Sequence, residues 1–130
     1  MMALMRREDL ERYLERGDRL GFQKETGDAD YIGWIMLGKN RPHERYLSLL
    51  KPGEEPGFVA EQEYIRVCPY QVWVAEFRRD VYESGECESA EDYRLNKCFY
   101  FPSLDHVEEF VRRFGHTLEK IRWATEIDSN

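Results

Sequence analysis

The spacing of apolar residues changes several times along this chain, and each change predicts an element. Near the start, Leu4, Leu10, Tyr13 and Leu14 fall on one helical stripe, and Gly17 supplies a stop. Glu8 and Arg12, four apart, attract; Glu11 and Glu15, also four apart, repel. Packing rather than surface charge must therefore hold this helix. From Asp18 the period becomes two: Leu20 and Phe22 alternate with polar residues until Thr26-Gly27-Asp28 turns the chain. Residues 31–37 (YIGWIML) are apolar on both faces, which predicts a central strand covered on each side, with Gly33 admitting a close neighbour.

Asn40-Arg41-Pro42 breaks this run, residues 45–50 (RYLSLL) return as a strand, and residues 51–57 (KPGEEPG) compose a loop. A further strand is expected around 63–68, ended by Pro69. Residues 71–82 (QVWVAEFRRDVY) form the longest strand candidate. One face shows Trp73, Ala75, Phe77 and Val81; the other passes from Val72 and Val74 to Glu76, Arg78 and Asp80. This shift from apolar to charged predicts a strand that runs out beyond the sheet. Residues 83–92 (ESGECESAED) then hold five carboxylates and no base, and residues 93–101 (YRLNKCFYF) return with Leu95, Phe99 and Phe101 on one side. The pair predicts a projecting hairpin tipped by an acidic tongue.

Pro102-Ser103 opens a second helix with a hydroxyl placed to cap it. Leu104, Val107, Phe110, Val111 and Phe114 form its apolar face. Glu108 and Glu109 pair forward with Arg112 and Arg113, and Gly115 suits a left-handed cap. Beyond it, Ile121, Trp123, Thr125 and Ile127 alternate as in a short edge strand, although Leu118 and Ile121 equally fit a helical turn. These elements predict an α+β fold: a mostly antiparallel sheet of about five to six strands, with N- and C-terminal helices packed on one face. No repeat or long linker divides residues 1–130, so a single domain is expected.

Composition narrows function by exclusion. Leu, Ile, Val and Phe make 30 of the 130 residues, enough for a real core. The net charge of −7 is uneven: residues 1–50 balance to zero, residues 51–101 carry −5 and residues 102–130 carry −2. Phosphate backbones need clustered Lys and Arg, so this field disfavours nucleic acid and anionic membranes and favours a basic protein partner. No run of about 18 apolar residues offers a spanning helix, and no signal peptide is visible. Cys68, Cys87 and Cys98 form no CxxC and leave one thiol over in any pairing, which points to a reducing cytoplasm.

Catalytic signatures are missing. His43-Glu44 lacks the second histidine of a zincin helix. Cys68, Cys87, Cys98 and His106 match no zinc-ligand spacing; Cys68 and Cys98 read instead as small buried hydrophobes. Glu86 and Glu88 flank Cys87 and would blunt its thiolate. The carboxylate pairs Glu54-Glu55 and Glu61/Glu63 sit where solvent would reach them, and His116 suits a helix end. Arg16-Gly17-Asp18 spells the tripeptide integrins read, but its residues also serve as a helix stop and strand start. No nucleophile elbow, phosphate loop or dinucleotide fingerprint occurs, so neither catalytic residue, cofactor nor metal is expected.

What remains is the tongue. Glu83, Glu86, Glu88, Glu91 and Asp92, flanked by Tyr82 and Tyr93 and joined by Tyr100, would meet a basic groove, with acids steering and rings supplying the desolvated contact. In size, charge and aromatic content the chain resembles small acidic single-domain proteins that neutralise a cationic enzyme, such as immunity proteins guarding bacteria against nuclease toxins. The expectation is a non-enzymatic binding protein, monomer or homodimer, that occludes a basic partner such as a toxin or nucleic-acid enzyme. Two alternatives stand beside it: a ligand pocket or small enzyme site under the sheet near Trp34, Trp73 and His106, and a homo-oligomeric module using aromatics on an edge strand.

Overall fold

Leu10 and Leu14 lie one helical turn apart, and both are buried; they seat helix α1 (Arg7–Glu15) on the sheet. The computed structural model describes residues 4–41, 68–85 and 89–124. Gly17, at φ +95°, turns the chain out of α1, a conformation that a side chain would strain. Strand β1 (Leu20–Lys24) and the nine-residue β2 (Tyr31–Lys39) form the first hairpin. Strand β3 (Tyr70–Arg78) pairs with β2 along its full length, and β4 (Tyr93–Phe101) pairs with β3. All of these pairs are antiparallel, and the order is β4-β3-β2-β1-β5, where β5 is the two-residue strand Arg122–Trp123 against Leu20 and Gly21.

Period-two alternation sorts the side chains between two cores. Leu20, Phe22, Ile35, Leu37, Val72 and Val74 face α1 and helix α3 (Leu104–Arg112), whose Leu104, Val107 and Val111 close the larger core. Each such fully buried aliphatic chain stabilises the fold by about 1.5–3 kcal/mol. Both helices thus occupy one face, as expected. Trp34, Ala75, Phe77 and Val81 make a smaller core on the other face. β2 is covered on each side, as its double-faced apolar run predicts.

Helix α3 begins where Ser103 Oγ accepts from the His106 amide and ends near Gly115 at φ +81°. Glu108 pairs with Arg112 at 3.2 Å. Each reading of the segment after it holds in part: a 3-10 turn covers Leu118–Lys120 and the two-residue β5 follows, while Thr125 and Ile127 lie outside the described residues. The tripeptide Arg16-Gly17-Asp18 serves the helix stop, with Arg16 ion-paired to Asp18 and Trp123 Nε1 donating to the same carboxylate at 3.2 Å.

Two expectations are corrected. The strand predicted over 71–82 stops at Arg78, and a short helix α2 (Arg79–Ser84) replaces its projecting end. Turning inward lets Val81 and Tyr82 pack on the Trp34 cluster, whereas an extended continuation would leave both in water. Cys98 is exposed on β4 rather than buried, because β4 is an edge strand; Cys68 is buried. The strand expected at 45–50, most of that at 63–68, and the loop between them lie outside the described residues; Cys68 precedes β3 in no strand.

Candidate functional site

Two connections meet at one end of the sheet: the β1–β2 turn and the link from β3 through α2 to β4. The turn is built locally. Thr26 Oγ1 donates to the Asp28 carbonyl at 2.7 Å, the Asp30 amide donates to Asp28 Oδ1 at 2.9 Å, and Tyr31 N returns to the Asp28 carbonyl at 3.1 Å. Arg79 ties the two connections together: its amide donates to the Asp30 carbonyl and its Nε to the Ala29 carbonyl, each at 2.8 Å.

Beneath them lies an ionic network built around one buried carboxylate. Glu76, only 6% exposed, sits mid-strand on the helix-bearing face. It accepts from Lys24 Nζ at 2.5 Å and from Arg94 Nε at 2.8 Å. The ladder register shifts between Glu76 and Phe77, so that Glu76 opposes Leu95, Phe77 opposes Tyr93, and Arg94 becomes the extra residue of a bulge. That bulge aims Arg94 back across the sheet. Its guanidinium also donates to the Thr26 carbonyl at 2.9 Å and to Asp28 at 3.3 Å, and stands 4.3 Å above the Tyr31 ring. Burial pushes the Glu76 carboxyl up, but the bonds from Lys24 and Arg94 outweigh it and hold the group below the ordinary carboxylate value. Glu76 is therefore ionised and fixes both loops to the sheet.

The tongue residues divide into anchored and outward groups. Asp92 forms a reciprocal capping box with Ser89 before the 3-10 turn Ala90–Asp92, and approaches Arg78 at 3.8 Å. Glu83 is exposed and 3.8 Å from Arg79, four residues back on α2. Glu91 is exposed; Glu86, Cys87 and Glu88 lie outside the described residues. Tyr82 meets Trp34 edge-on at 5.5 Å, and Tyr93 packs on Phe77 at 4.8 Å and on Trp73 at 6.2 Å. Both tyrosines are half-buried members of the smaller core, which presents only part of each ring to solvent. Tyr100, further along β4, is half-buried as well.

Sequence reasoning missed the β1–β2 turn as part of this surface. Glu25 and Asp30 are exposed there, and Asp28 is half-exposed. Residues 24–30 carry a net −2 and residues 76–94 a net −4, so two short segments hold six of the seven net negative charges. A signal was present: Glu76 interrupts an apolar run while Gly33 interrupts the neighbouring one.

A cleft of about 760 Å³ opens between this turn and the end of α3, lined in part by Gln23, Lys24, Thr26, Asp28, Phe114 and His116. His116 stacks on Phe22 at 4.6 Å, and burial lowers its pKa against an opposing hydrogen bond with the Gln23 backbone. The pocket expected near Trp34, Trp73 and His106 does not gather those three. The tryptophans lie together on the sheet face away from the helices, whereas His106 is exposed on α3 with Nδ1 2.7 Å from Ser103 Oγ. Among the described residues no three His, Cys, Asp or Glu side chains could hold a metal ion. Partial desolvation against the neighbouring strand raises the thiol of the exposed Cys98, which weakens it as a nucleophile. Comparison of the chain with protein-family models, curated proteins and solved structures finds no match to any of them.

Proposed function

We propose that this chain is a non-enzymatic acidic binding protein that occludes a basic protein partner, of the inhibitor or immunity type, through the acidic end of its sheet. The carrying observation is that residues 24–30 and 76–94, which carry six of the seven net negative charges in the sequence, are tied to one another by Arg79 and Arg94. Arg94 spends its donors on the Thr26 carbonyl, Glu76 and Asp28, and Arg79 bonds the Ala29 carbonyl while its outer end lies 3.8 Å from Glu83. Glu25, Asp30 and Glu91 are left facing water. Such a surface steers a cationic partner into contact and penalises acidic ones. The network around Glu76 holds the β1–β2 turn against β4, which lowers the ordering cost of that part of the surface on binding. Candidate partners are therefore cationic toxins or nucleic-acid enzymes.

The test is capture from native lysate at low and high salt, using the wild-type chain and a variant with Glu86, Glu88 and Glu91 changed to Lys. A stoichiometric, strongly basic companion that the variant fails to hold supports the reading. A companion held equally by both, or an acidic one, overturns it.

The mixed-charge cleft beside His116 favours a second reading, a small-molecule site. Saturable binding of a metabolite fraction that Phe114→Ala abolishes, with the charge-reversed tongue binding normally, would move the assignment there.

A further inference from the structure

The cleft between the β1–β2 turn and the end of α3 is lined by two basic side chains, and each already has protein partners. Lys24 donates to Glu76 at 2.5 Å and to the Glu25 carbonyl at 3.1 Å. Arg79 donates to the Ala29 carbonyl and lies 3.8 Å from Glu83. Asp28, on the same wall, is shared with Arg94 at 3.3 Å. Lys24, Arg79 and Arg94 thus stand against Glu25, Asp28, Glu76 and Glu83, three cations against four carboxylates. The carboxylate left over is Glu25, which is exposed and enters no ion pair among the described residues.

Two more acceptors line the cleft. Phe114 keeps 37% of its surface exposed, and the Lys24 ammonium stands 5.9 Å from its ring centroid, so the ring already serves as a face for a cation. His116 has its pKa lowered from 6.5 by burial, so its ring is neutral in mildly alkaline solution. Its hydrogen bond with the Gln23 backbone raises the pKa and therefore runs from a ring N–H to the carbonyl, which leaves the other ring nitrogen an acceptor. Donors in this cleft are committed, and acceptors are in surplus.

We propose that the cleft is a guanidinium site, filled in the complex by an arginine of the basic partner. The inference rests on the reading that the acidic end of the sheet docks a basic protein, and it makes the cleft part of that surface rather than a separate small-molecule pocket. A guanidinium carries its donors in one plane, so it can bond a carboxylate and an imidazole nitrogen there while its flat side lies on an aromatic ring. A lysine ammonium is a strongly hydrated point charge and gains less from such a ring. The space of about 760 Å³ admits the whole side chain. Arginine seated in a pocket is among the side chains that contribute most to protein interfaces.

The experiment titrates the full isotope-labelled chain with N-acetylarginine amide at about pH 7.5 and follows the amide signals by NMR. Saturable shifts should appear at Gly27, Gly115 and His116. The citrulline analogue keeps the shape without the charge, and should bind at least about tenfold more weakly. Glu25→Gln, a change confined to an exposed side chain, and Phe114→Ala should each weaken the arginine probe about threefold to tenfold. Glu11→Gln, on α1, should leave it unchanged. The comparison of analogues needs no variant to fold. Shifts that rise without saturating overturn the proposal, as does a citrulline or lysine analogue that binds as tightly as the arginine one. Lysate capture reads the docking surface separately. A basic companion held equally by the wild type and Phe114→Ala removes the cleft from the interface and leaves the acidic surface standing. Saturable arginine binding with no basic companion overturns the docking reading and keeps the guanidinium site.

Discussion

Lys24 and Glu76 lie on strands that do not touch, yet their charged groups are 2.5 Å apart. The register explains how: Lys24 opposes Gly33, and Gly33 opposes Glu76, so the three positions form one row across β1, β2 and β3. The missing side chain in the middle lets the lysine cross the central strand. A Cβ on Gly33 would stand 2.7 Å from the Lys24 carbonyl oxygen and 3.0 Å from Thr26 Cγ2. Backbone cannot yield as a side-chain tip can. Gly33→Ala is therefore expected to destabilise the chain by about 1–3 kcal/mol in urea unfolding, whereas Gly38→Ala, where a Cβ meets nothing within 4 Å, should change little.

The same carboxylate sets an acid limit. Glu76 titrates below its ordinary 4.5 in the folded chain. Its ionised form thus favours folding at every pH above the unfolded value, and that contribution is lost as pH falls through the folded value. Glu76→Gln keeps an acceptor but removes the charge, and should cost about 1–3 kcal/mol at neutral pH. The gap between wild type and variant should close progressively below pH 4.5. A gap that stays constant in acid would show that packing rather than charge accounts for the loss.

His116 gives the chain a second, milder slope. Its burial against Phe22 depresses its pKa below the ordinary 6.5, so the unfolded chain binds the proton more readily than the folded one. Stability should accordingly fall as pH drops below 6.5. His116→Phe preserves the stack and removes the titration. A pH series of unfolding curves should then show the wild-type slope between neutral and mildly acid pH, and a flatter variant.

How far these features could be read from residue order depends on the range of the interaction that makes them. The stripe of Leu10, Tyr13 and Leu14 and the run 31–37, apolar on both faces, are local patterns, so α1, β2 and the sidedness of the helices were legible. Val81 misled because it continues the period-two series Trp73, Ala75, Phe77. It reaches the same core by a different route, through a helical turn whose reward is contact with Trp34 from another strand. Arg94 was silent for a similar reason: a bulge exists only relative to its partner strand. The acidic tongue was visible as composition, but its union with Asp28 and Asp30 needed the hairpins to be laid side by side. Cys98 was misjudged because nothing in its neighbours says that β4 is an edge.

Tyr82 separates two accounts of the tongue. As a free anchor for a partner it would be dispensable to the fold. Its ring instead meets Trp34 edge-on at 5.5 Å within the smaller core. Tyr82→Ala is expected to lower stability by about 2–4 kcal/mol, less than the roughly 3–5 kcal/mol for a core aromatic because the ring is half-buried. Unchanged unfolding midpoints with weakened partner capture would return it to the role of an anchor.

If the β1–β2 turn belongs to the binding surface, a reversal there should act like one in the tongue. Asp30 is exposed, and its carbonyl is already held by the Arg79 amide, so Asp30→Lys changes the field without removing that bond. Association with the basic companion should slow about threefold to tenfold at low salt, and the salt dependence of the rate should flatten. Glu91→Lys should do the same. Glu11→Lys makes the same change in net charge on α1, one turn before Glu15, whose carboxylate meets Lys39 at the far end of β2. That variant should bind almost as the wild type does, because screening confines each charge to about 8–10 Å. Equal effects from all three would mean that net charge alone attracts the partner, and that the acidic end of the sheet has no special part in docking it.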